Sequence, residues 1–559
     1  MPTTHHDRRR AVRASVRTAL LALALLLASL LPLAPGGTAA HAEGEASARS
    51  GSGAGSGGDW PSWQHDLSGT RYNGEEKKLT PANVQKLKQK WAFGHADVPG
   101  VYLGSQPAVV DGVLYTGGAD ATFHALDART GAKKWTFDLR SAIGDDVGDK
   151  DPVRSGPTVS GDTVYFGDNK GHLYALDRRT GKPRWHTRLD DHPTAQITGS
   201  PLVYRGRVYV GVSSSESGSP ADLTYPCCTF RGSLVAVDAR DGSVDWRHWT
   251  VPKPKRTGSW PNGAARYEPS GIGVWSSPVV DPGTGNVYVG TGQNYTGTEG
   301  ETDSLLALDA ATGAVRWQQQ ATHPDTYTVP CDEPGQEEYC PGKADGTDLD
   351  WDFGSSANVF TADGRRLVGI GQKNGVYHAF DARTGEKVWK RALVEDPGTR
   401  GGQSGIQWGT SWDGERLYVA TWFASPGTLY ALDPATGKVE WERPTPEDGC
   451  EWGGAAEHPE FCEAAFTPAV TVTPGIVWEG NADGKMRAFS ADTGKVLWQY
   501  DVIRDFSTVN GVPARGKALS GGGGAVVADG MVYVQAAYYP EYPSEVGGAL
   551  LAFSLPGRK

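Results

Sequence analysis

The chain has 559 residues, a formal net charge of −11 at pH 7 and 38% hydrophobic residues. An acidic surface repels the phosphates of nucleic acids, so we expect a small or neutral partner and no nucleic acid. None of the six cysteines lies in the C-x-x-C-H pattern that attaches a c-type haem, so any electron carrier must come from outside the chain.

The first 42 residues have the organisation of a secretory signal peptide. Five arginines precede the apolar run LLALALLLASLLPLA, which is followed by Ala-His-Ala ending at residue 42. A short N-terminal apolar run with a cleavage-like site is typical of a signal peptide rather than a membrane span. We therefore predict a secreted or extracytoplasmic protein, exported by the general or the twin-arginine route. No later apolar run is long enough to span a bilayer.

Residues 43–58, EGEASARSGSGAGSGG, form a Gly/Ser-rich linker that has nothing to bury. The predicted folded domain therefore covers residues 59–559. Removal of the signal peptide takes away five arginines and one aspartate, which leaves the remaining chain at a net charge of −15.

One sequence unit repeats through the folded domain, with the pattern L-x-A-(L/V/F)-D-x-x-(T/D)-G-x-x-x-W. Its copies end at Trp135, Trp185, Trp246, Trp317, Trp389, Trp441 and Trp498. Each unit predicts a hairpin with a Gly-assisted turn, and another strand pair precedes each hairpin. Units of four strands predict an all-β propeller of antiparallel blades.

An eighth, incomplete unit, ALLAFSLPG, lies at the C-terminus and lacks its tryptophan. The N-terminal stretch VQKLKQKWAFG supplies one in Trp91, so we predict that this strand closes a ring of eight blades. The repeated tryptophans are interpreted as packing between blades. Trp275, in GVWSSPVVD, lies at the start of an inner strand instead and is expected to face the central channel.

Three insertions interrupt the repeat, at residues 213–229, 322–353 and 445–466, and loops of this kind usually carry the function of a propeller. They hold the cysteines in three neighbouring pairs, 227 with 228, 331 with 340, and 450 with 462. In an exported protein such pairs favour disulfides over metal sites. For the adjacent pair, free thiols and bonds to other cysteines remain alternatives.

Several motifs resemble those of the quinoprotein alcohol dehydrogenases: WPSWQHDLSGTRYN, the D-x-x-T-G-x-x-x-W units, VWSSPVVDPGTGNVYVGTGQNYTG and WDFGSS. These enzymes bind pyrroloquinoline quinone (PQQ), and usually Ca²⁺, in an eight-bladed propeller. Within the group, SSSES…YPCCTFRGSLVAVD most resembles the polyvinyl alcohol dehydrogenases. The resemblance extends from about residue 59 to the C-terminus.

The resemblance implies roles for three residues. Trp275 matches the tryptophan that stacks on the quinone ring. Asp352 matches the catalytic base, which takes the hydroxyl proton of the alcohol while hydride leaves for the quinone. Lys373 matches the cation that hydrogen-bonds the quinone oxygens. A plain turn residue at 352 and a surface charge at 373 are the alternatives.

The resemblance also implies a calcium site formed by Glu216, Gln293 and Asp352. Gln293 stands where the family has an asparagine ligand, and Asn294 beside it offers a second amide oxygen. Both residues are expected near the cofactor. A solvated loop glutamate is the alternative for Glu216. Gly354 stands where lanthanide-using relatives carry a second aspartate, which favours Ca²⁺.

In the family, a vicinal disulfide presses on the face of the quinone opposite the tryptophan. Cys227 and Cys228 are expected to form such a lid, although methanol-oxidising relatives have theirs one blade earlier. The pair follows the placement of the polyvinyl alcohol group.

The sequence thus predicts an exported PQQ- and Ca²⁺-dependent dehydrogenase of a secondary or polymeric alcohol, with an external acceptor such as a separate cytochrome c or a quinone. Two other hypotheses remain open at this point. One is a cofactor-free propeller that acts as a protein-binding scaffold, and the other is a quinone-binding sensor without turnover.

Overall fold

In the computed structural model, the structure describes residues 58–557, except 99–100, 102, 145–146, 149–150, 396–404, 423–425, 458, 460–461, 520 and 538–545. The predicted signal peptide at 1–42 and nearly all of the linker at 43–58 lie outside the described residues. Among those that are described, no helix has the length and apolar character needed to cross a membrane.

Eight four-stranded antiparallel sheets follow one another along the chain, as predicted, and each is one blade of the propeller. Blade 1 contains Ala108–Val110, Val113–Gly117, Thr122–Asp127 and Lys133–Asp138. Blade 2 contains Thr158–Ser160, Thr163–Gly167, His172–Asp177 and Pro183–Arg188. Blade 3 contains Leu202–Tyr204, Arg207–Ser214, Ser233–Asp238 and Val244–Trp249, with Ala195–Gln196 added beside its second strand. Blade 4 contains Val279–Asp281, Asn286–Gly290, Ser304–Asp309 and Val315–Gln320.

The remaining blades repeat this order. Blade 5 contains Asn358–Ala362, Arg365–Gly371, Val376–Asp381 and Lys387–Ala392. Blade 6 contains Ser411–Trp412, Leu417–Ala420, Thr428–Leu432 and Val439–Pro444. Blade 7 contains Thr471–Thr473, Ile476–Gly480, Lys485–Ser490 and Val496–Asp501. Blade 8 contains Val526–Ala528, Met531–Ala536 and Ala549–Ser554, and its outer strand is the N-terminal Lys88–Gly94, which closes the ring.

Short elements lie between the blades. Two-stranded pairs join Lys255–Ser259 to Ala265–Glu268, Ser270–Gly271 to Asn294–Thr296, Ser355–Ser356 to Trp408–Gly409 and Asp505–Phe506 to Ala514–Arg515. The described α-helix is Arg140–Ile143. Described 3₁₀ helices are Val84–Lys86, Glu216–Ala221, Val329–Cys331, Glu337–Tyr339, Lys343–Asp345, Glu447–Cys450 and Gly453–Glu457.

The repeat pattern corresponds to an interlock between neighbouring blades. In blade 1, Asp127 accepts hydrogen bonds from the backbone N–H and the hydroxyl of Thr130, which fixes the turn. Gly131 follows with φ of +72°, and a Cβ there would lie 2.8 Å from the indole of Trp91 in blade 8. The Nε1 of Trp91 donates to the carbonyl of Ala128. The repeated tryptophans therefore pack between blades, as predicted. Seven of them lie against a turn glycine whose Cβ would collide with the indole: Trp91, Trp135, Trp185, Trp246, Trp317, Trp389 and Trp441. The eighth, Trp498, packs edge-on against Phe553 of blade 8.

An N-terminal segment, residues 60–73, lies against the first strands of the blades. Its backbone groups and the Asn73 side chain form hydrogen bonds with seven of the eight first strands. The partner residues are Val109, Val159, Val280, Val359, Trp412, Val472 and Val527. Within the segment, Arg71 is fully buried between the rings of Trp60 and Trp63. This segment, called the strap below, ties the blades together across their inner edges.

All six cysteines are in disulfides, which confirms the expected pairing: Cys227–Cys228, Cys331–Cys340 and Cys450–Cys462. Each bond lies within or beside one of the three insertions. The bonds are local and close short loops, so they constrain the insertions and do not link one blade to another.

Candidate active site

A cavity of about 340 Å³, called the central cavity below, lies among loops of blades 2 to 6. Its wall contains three of the residues with predicted roles in the chemistry, Trp275, Asp352 and Lys373. The other lining residues are Arg154, Gln196, Thr198, Ser213, Ser214, Ser217, Gly273, Gln293, Tyr295, Tyr327, Asp350, Gln407, Trp408 and Trp422. The wall thus combines aromatic rings with a few charged and amide groups, as ligand sites usually do.

Asp352 is held in place by three nitrogen donors. Its Oδ1 accepts the backbone N–H of Gln293 at 2.7 Å. Its Oδ2 accepts the indole N–H of Trp275 at 3.1 Å and lies 3.0 Å from Nζ of Lys373. Because these donors use both lone pairs of Oδ2 and one of Oδ1, the second lone pair of Oδ1 is left to receive a proton.

Lys373 is shared by two carboxylates. Its Nζ donates to Asp350 at 2.9 Å as well as contacting Asp352, and all three side chains are buried. Burial alone favours the neutral amine, but the two carboxylates hold the pKa of Lys373 above its ordinary value. Burial raises the pKa of Asp350 to about 8, against the opposing charge of Lys373. The lysine is therefore a fixed cation beside Asp352.

Trp275 presents its indole to the cavity from the loop before the first strand of blade 4. Trp408 contacts it edge-on at a centroid distance of 5.4 Å, and Nζ of Lys373 lies 5.5 Å from its ring centroid. Behind it, a Cβ on Gly354 would lie 2.3 Å from Cη2 of the indole. A residue with a side chain at 354 would displace Trp275, so the glycine and the tryptophan go together.

The side chains of the adjacent residues Gln293 and Asn294 lie in different environments. The side chain of Gln293 lines the cavity beside Asp352. Asn294 is fully buried: its Nδ2 donates to the carbonyl of Glu299 at 3.1 Å, and its Oδ1 accepts the hydroxyl of Thr302. Gln293, rather than Asn294, therefore offers an oxygen to a ligand in the cavity.

Glu216 is fully buried and does not line the central cavity. Its Oε2 accepts a hydrogen bond from the backbone N–H of Phe230 at 2.8 Å. Its Oε1 accepts one from the backbone N–H of Thr229 at 2.9 Å and one from the hydroxyl of Tyr225 at 3.0 Å. Burial opposes ionisation, but His192 and these N–H donors outweigh it and lower the pKa of Glu216. The glutamate is an ordered anion behind the wall, and its contact with a metal stays a prediction.

The vicinal disulfide is also behind the wall. Cys227 and Cys228 are buried in the core between blades 2 and 3, together with Phe230 and Tyr295. The carbonyl of Cys227 accepts the backbone N–H of Tyr267 at 3.0 Å. The disulfide immediately precedes Thr229 and Phe230, so it fixes the turn that holds Glu216. Contact between the disulfide and a cofactor stays a prediction.

Arg154 and Tyr327 are among the wall residues that the sequence reasoning missed. Arg154 has no ion pair or hydrogen-bond partner among the described residues, although it lines the central cavity. Tyr327 comes from the 322–353 insertion, and its hydroxyl donates to Asp332 at 2.5 Å. Neither lies in a repeat unit or a quoted motif; an arginine just before an inner strand was the only available signal.

Two further carboxylates lie below the site. Asp325 accepts the backbone N–H groups of Asp350 at 2.9 Å and of Trp351 at 2.6 Å, and burial raises its pKa to about 6. Asp303 is fully buried, and burial together with Asp325 raises its pKa well above the ordinary value. Through its two hydrogen bonds, Asp325 holds the loop that carries Asp352.

The residues of the wall fit PQQ, a planar quinone with several carboxylates. Trp275 offers a flat aromatic face, while Lys373 and Arg154 offer cations. For a hard cation, the carboxylate of Asp352 and the amide oxygen of Gln293 are suitable donors that line the cavity. Glu216 would join them only by giving up hydrogen bonds to the Thr229–Phe230 turn.

Comparisons with known proteins identify the family. The family described as glucose/ethanol/alcohol dehydrogenase, β-propeller domain, matches residues 60–336, and the one described as outer membrane protein assembly factor BamB matches residues 372–553. A polyvinylalcohol dehydrogenase of Pseudomonas sp. is 34% identical over 518 residues, which cover 89% of this chain and 77% of the relative. That of Sphingopyxis sp. (strain 113P3) is 33% identical, with the same coverage.

Among solved structures, the quinohemoprotein alcohol dehydrogenase ADHIIG of Pseudomonas putida HK5 superposes with a TM-score of 0.64. It is 22% identical, and the match covers 90% of this chain and 81% of that one, which supports the fold. The fold, the wall of the central cavity and the sequence similarity along most of both chains lead to one assignment. The chain belongs to the PQQ-dependent quinoprotein alcohol dehydrogenases.

Proposed function

We propose that this enzyme oxidises a secondary or polymeric alcohol, such as polyvinyl alcohol, with PQQ and Ca²⁺ outside the cytoplasm. The observation that carries the proposal is the meeting of Trp275, Asp352 and Lys373 in one cavity wall, with Asp352 hydrogen-bonded to the other two. The names of the relatives that share 33–34% identity support the choice of substrate class.

The roles of the protein groups follow from their positions. When bound, PQQ supplies the two-electron oxidant that accepts hydride from the alcohol carbon. Asp352 accepts the hydroxyl proton on its open Oδ1 lone pair, while Lys373 stays charged and favours negative charge that develops beside it. Trp275 provides a flat surface and, through its N–H, holds the orientation of the base. Tyr327 and Trp422 add aromatic surface to the same wall.

Ca²⁺ is proposed with Asp352 and Gln293 as its donors on the cavity wall and with Glu216 as the third. Because Oδ1 of Asp352 is kept for the proton, the metal would share Oδ2, which in its absence accepts from Trp275 and Lys373. Gly354 supports calcium over a lanthanide, because it provides no carboxylate at the position where lanthanide-using relatives carry a second aspartate. Cys227 and Cys228 are proposed as part of the cofactor enclosure through the turn that holds Glu216. Asn294 supports the site as a buried second layer behind Gln293.

Export and the electron acceptor are part of the proposal. The arginine-rich apolar leader supports secretion, and three disulfides fit an oxidising compartment. Because the chain has no haem attachment motif, the electrons are proposed to pass to an external acceptor, such as a separate cytochrome c or a quinone.

The proposal is tested by loading the purified protein with PQQ and Ca²⁺. A ligand that binds only the folded state raises the melting temperature by mass action. At a free ligand concentration of a hundred times Kd, the free energy of unfolding increases by about 2.7 kcal/mol. We expect a rise with both ligands, little with PQQ plus a chelator, and then turnover of secondary alcohols with an artificial acceptor. A melting temperature unchanged by PQQ with either Ca²⁺ or a lanthanide would contradict the proposal and favour a scaffold. Binding without turnover would favour a sensor.

A further inference from the structure

A second cavity of about 310 Å³, called the side cavity below, lies next to the central one over blades 2 and 3. Arg154 and Gln196 line both cavities, and the consecutive residues Ser214 and Ser215 each line one. The two cavities therefore adjoin each other, with Arg154 and Gln196 on the boundary. Each alone reaches the lower end of the range of about 300–1,000 Å³ that small-ligand sites occupy. A short alcohol needs only the central cavity.

The side cavity is polar but does not suit an anion. Its lysine, Lys170, is paired with Asp151 at 3.4 Å, so these two charges compensate each other. Arg154 is the remaining cation among the described lining residues, and it also faces the central cavity, where the carboxylates of PQQ are proposed to bind. An anionic ligand would therefore be repelled by the carboxylate of Asp151, and no uncompensated cation of the side cavity would attract it.

The side cavity does not suit an apolar ligand either. Oδ1 of Asn169 is buried and has no hydrogen-bond partner. Because the residue is only half-buried, a rotation of its amide would bring this acceptor to the cavity, where a hydroxyl would donate to it. An apolar occupant would leave the acceptor unsatisfied, which is costly. Thr194, Gln196 and Ser215 add further hydroxyl and amide groups to the wall. A neutral ligand rich in hydroxyl groups, each both donor and acceptor, matches this set.

We propose that the side cavity is a subsite for a hydroxyl-bearing chain, occupied by a part of a polymeric alcohol remote from the carbinol that reacts at Asp352. This inference rests on the proposed function and adds to it the residues that select a long substrate. Asn169 accepts from a hydroxyl of the chain, and binding energy gained there is unavailable to a short alcohol.

The test compares a polyvinyl alcohol oligomer with 2-butanol in the enzyme loaded with PQQ and Ca²⁺. Asn169→Ala removes the acceptor, and Asn169→Trp fills the side cavity. The matched control is Asn262→Ala, at an exposed turn that lines neither cavity. For the oligomer we expect KM to rise about two- to tenfold in Asn169→Ala, the value of one hydrogen bond, and further in Asn169→Trp. For 2-butanol, KM and kcat should stay within about twofold in all variants.

The outcomes separate the two proposals. An unmodified enzyme that oxidises 2-butanol but not the oligomer would refute the polymeric substrate, and the subsite with it. An oligomer KM that is equal in the unmodified enzyme and both Asn169 variants would refute the subsite alone. A KM that rises equally for both substrates would show that Asn169 acts on the central cavity and would also overturn the inference.

Discussion

The indole N–H of Trp275 donates to Oδ2 of Asp352 at 3.1 Å, so the ring proposed to stack on the cofactor also holds the proposed base by its edge. The two residues come from different blades, since Trp275 precedes blade 4 and Asp352 precedes blade 5. The positions of the two side chains are therefore set by the packing of these blades, and neither can shift independently of the other.

Replacement of the base tests the proposed chemistry. Asp352→Asn keeps the shape and an oxygen for the Trp275 N–H but cannot take the hydroxyl proton. General-base catalysis contributes typically about 10²- to 10⁴-fold, so we expect kcat for the best alcohol to fall by that range. Steady-state kinetics with an artificial acceptor measures it, and circular dichroism checks the fold.

The matched control is Asp345→Asn, which makes the same change at an exposed position of the same insertion. It should leave kcat unchanged. If Asp352→Asn turned over near the normal rate, Asp352 would not be the base, and Asp350 on the other side of Lys373 would be the next candidate.

Gly354 should be required for cofactor binding although it contacts no ligand itself. In Gly354→Ala the new methyl group would lie 2.3 Å from Cη2 of Trp275, so the indole must move. Overpacking of this kind costs about 1–3 kcal/mol, and we expect PQQ affinity to fall by about tenfold. Fluorescence titration with PQQ measures it. Gly258→Ala, where a Cβ meets nothing within 4 Å, is the control, and equal affinities in both variants would contradict the prediction.

The cysteine pairing is open to direct chemical test. Peptides prepared without reduction should show the 227–228 segment lighter by two hydrogens and linked to no other peptide, while 331 is joined to 340 and 450 to 462. Mass spectrometry before and after reduction provides the measurement. A crosslink from Cys227 or Cys228 to another cysteine would be incompatible with the turn that holds Glu216.

Asp325 should make the apoprotein less stable as the pH rises. Burial raises its folded pKa to about 6, above the value of about 3.9 in an unfolded chain. Between these values the unfolded state has released the proton and the folded state retains it, so the free energy of unfolding falls as pH rises through about 4 to 6. A pKa difference of about 2 between the folded and unfolded states corresponds to a loss of about 3 kcal/mol in the free energy of unfolding.

Urea unfolding of the unmodified protein and of Asp325→Asn across this pH range isolates the contribution. The variant should lack this part of the slope, because an amide does not titrate. Parallel pH profiles for the two proteins would show that Asp325 ionises in the folded state with an ordinary pKa.

The ring was predictable from the sequence because its signals are local and repeated. The Asp127–Thr130 turn, the glycine after it and the tryptophan of the neighbouring blade recur at fixed spacing. Trp275, Asp352 and Lys373 were predictable because motifs carry them. The orientation of Glu216 was not, because it depends on N–H groups of Thr229 and Phe230, thirteen and fourteen residues further on in an irregular loop. Arg154 and Asn169 face a cavity only because separate loops meet there.

The strap also has a consequence for synthesis on the ribosome. Residues 60–73 and the strand Lys88–Gly94 emerge first, yet their partners extend to Val527 and to Ala549–Ser554, which emerge last. The earliest residues of the propeller therefore stay without their final neighbours until the last blade has been translated. Pairing over such sequence distances is slow, because a long loop must be ordered before any contact forms. Blades in the middle of the chain can assemble as they appear, whereas the seam that makes the ring whole is necessarily its last part to form.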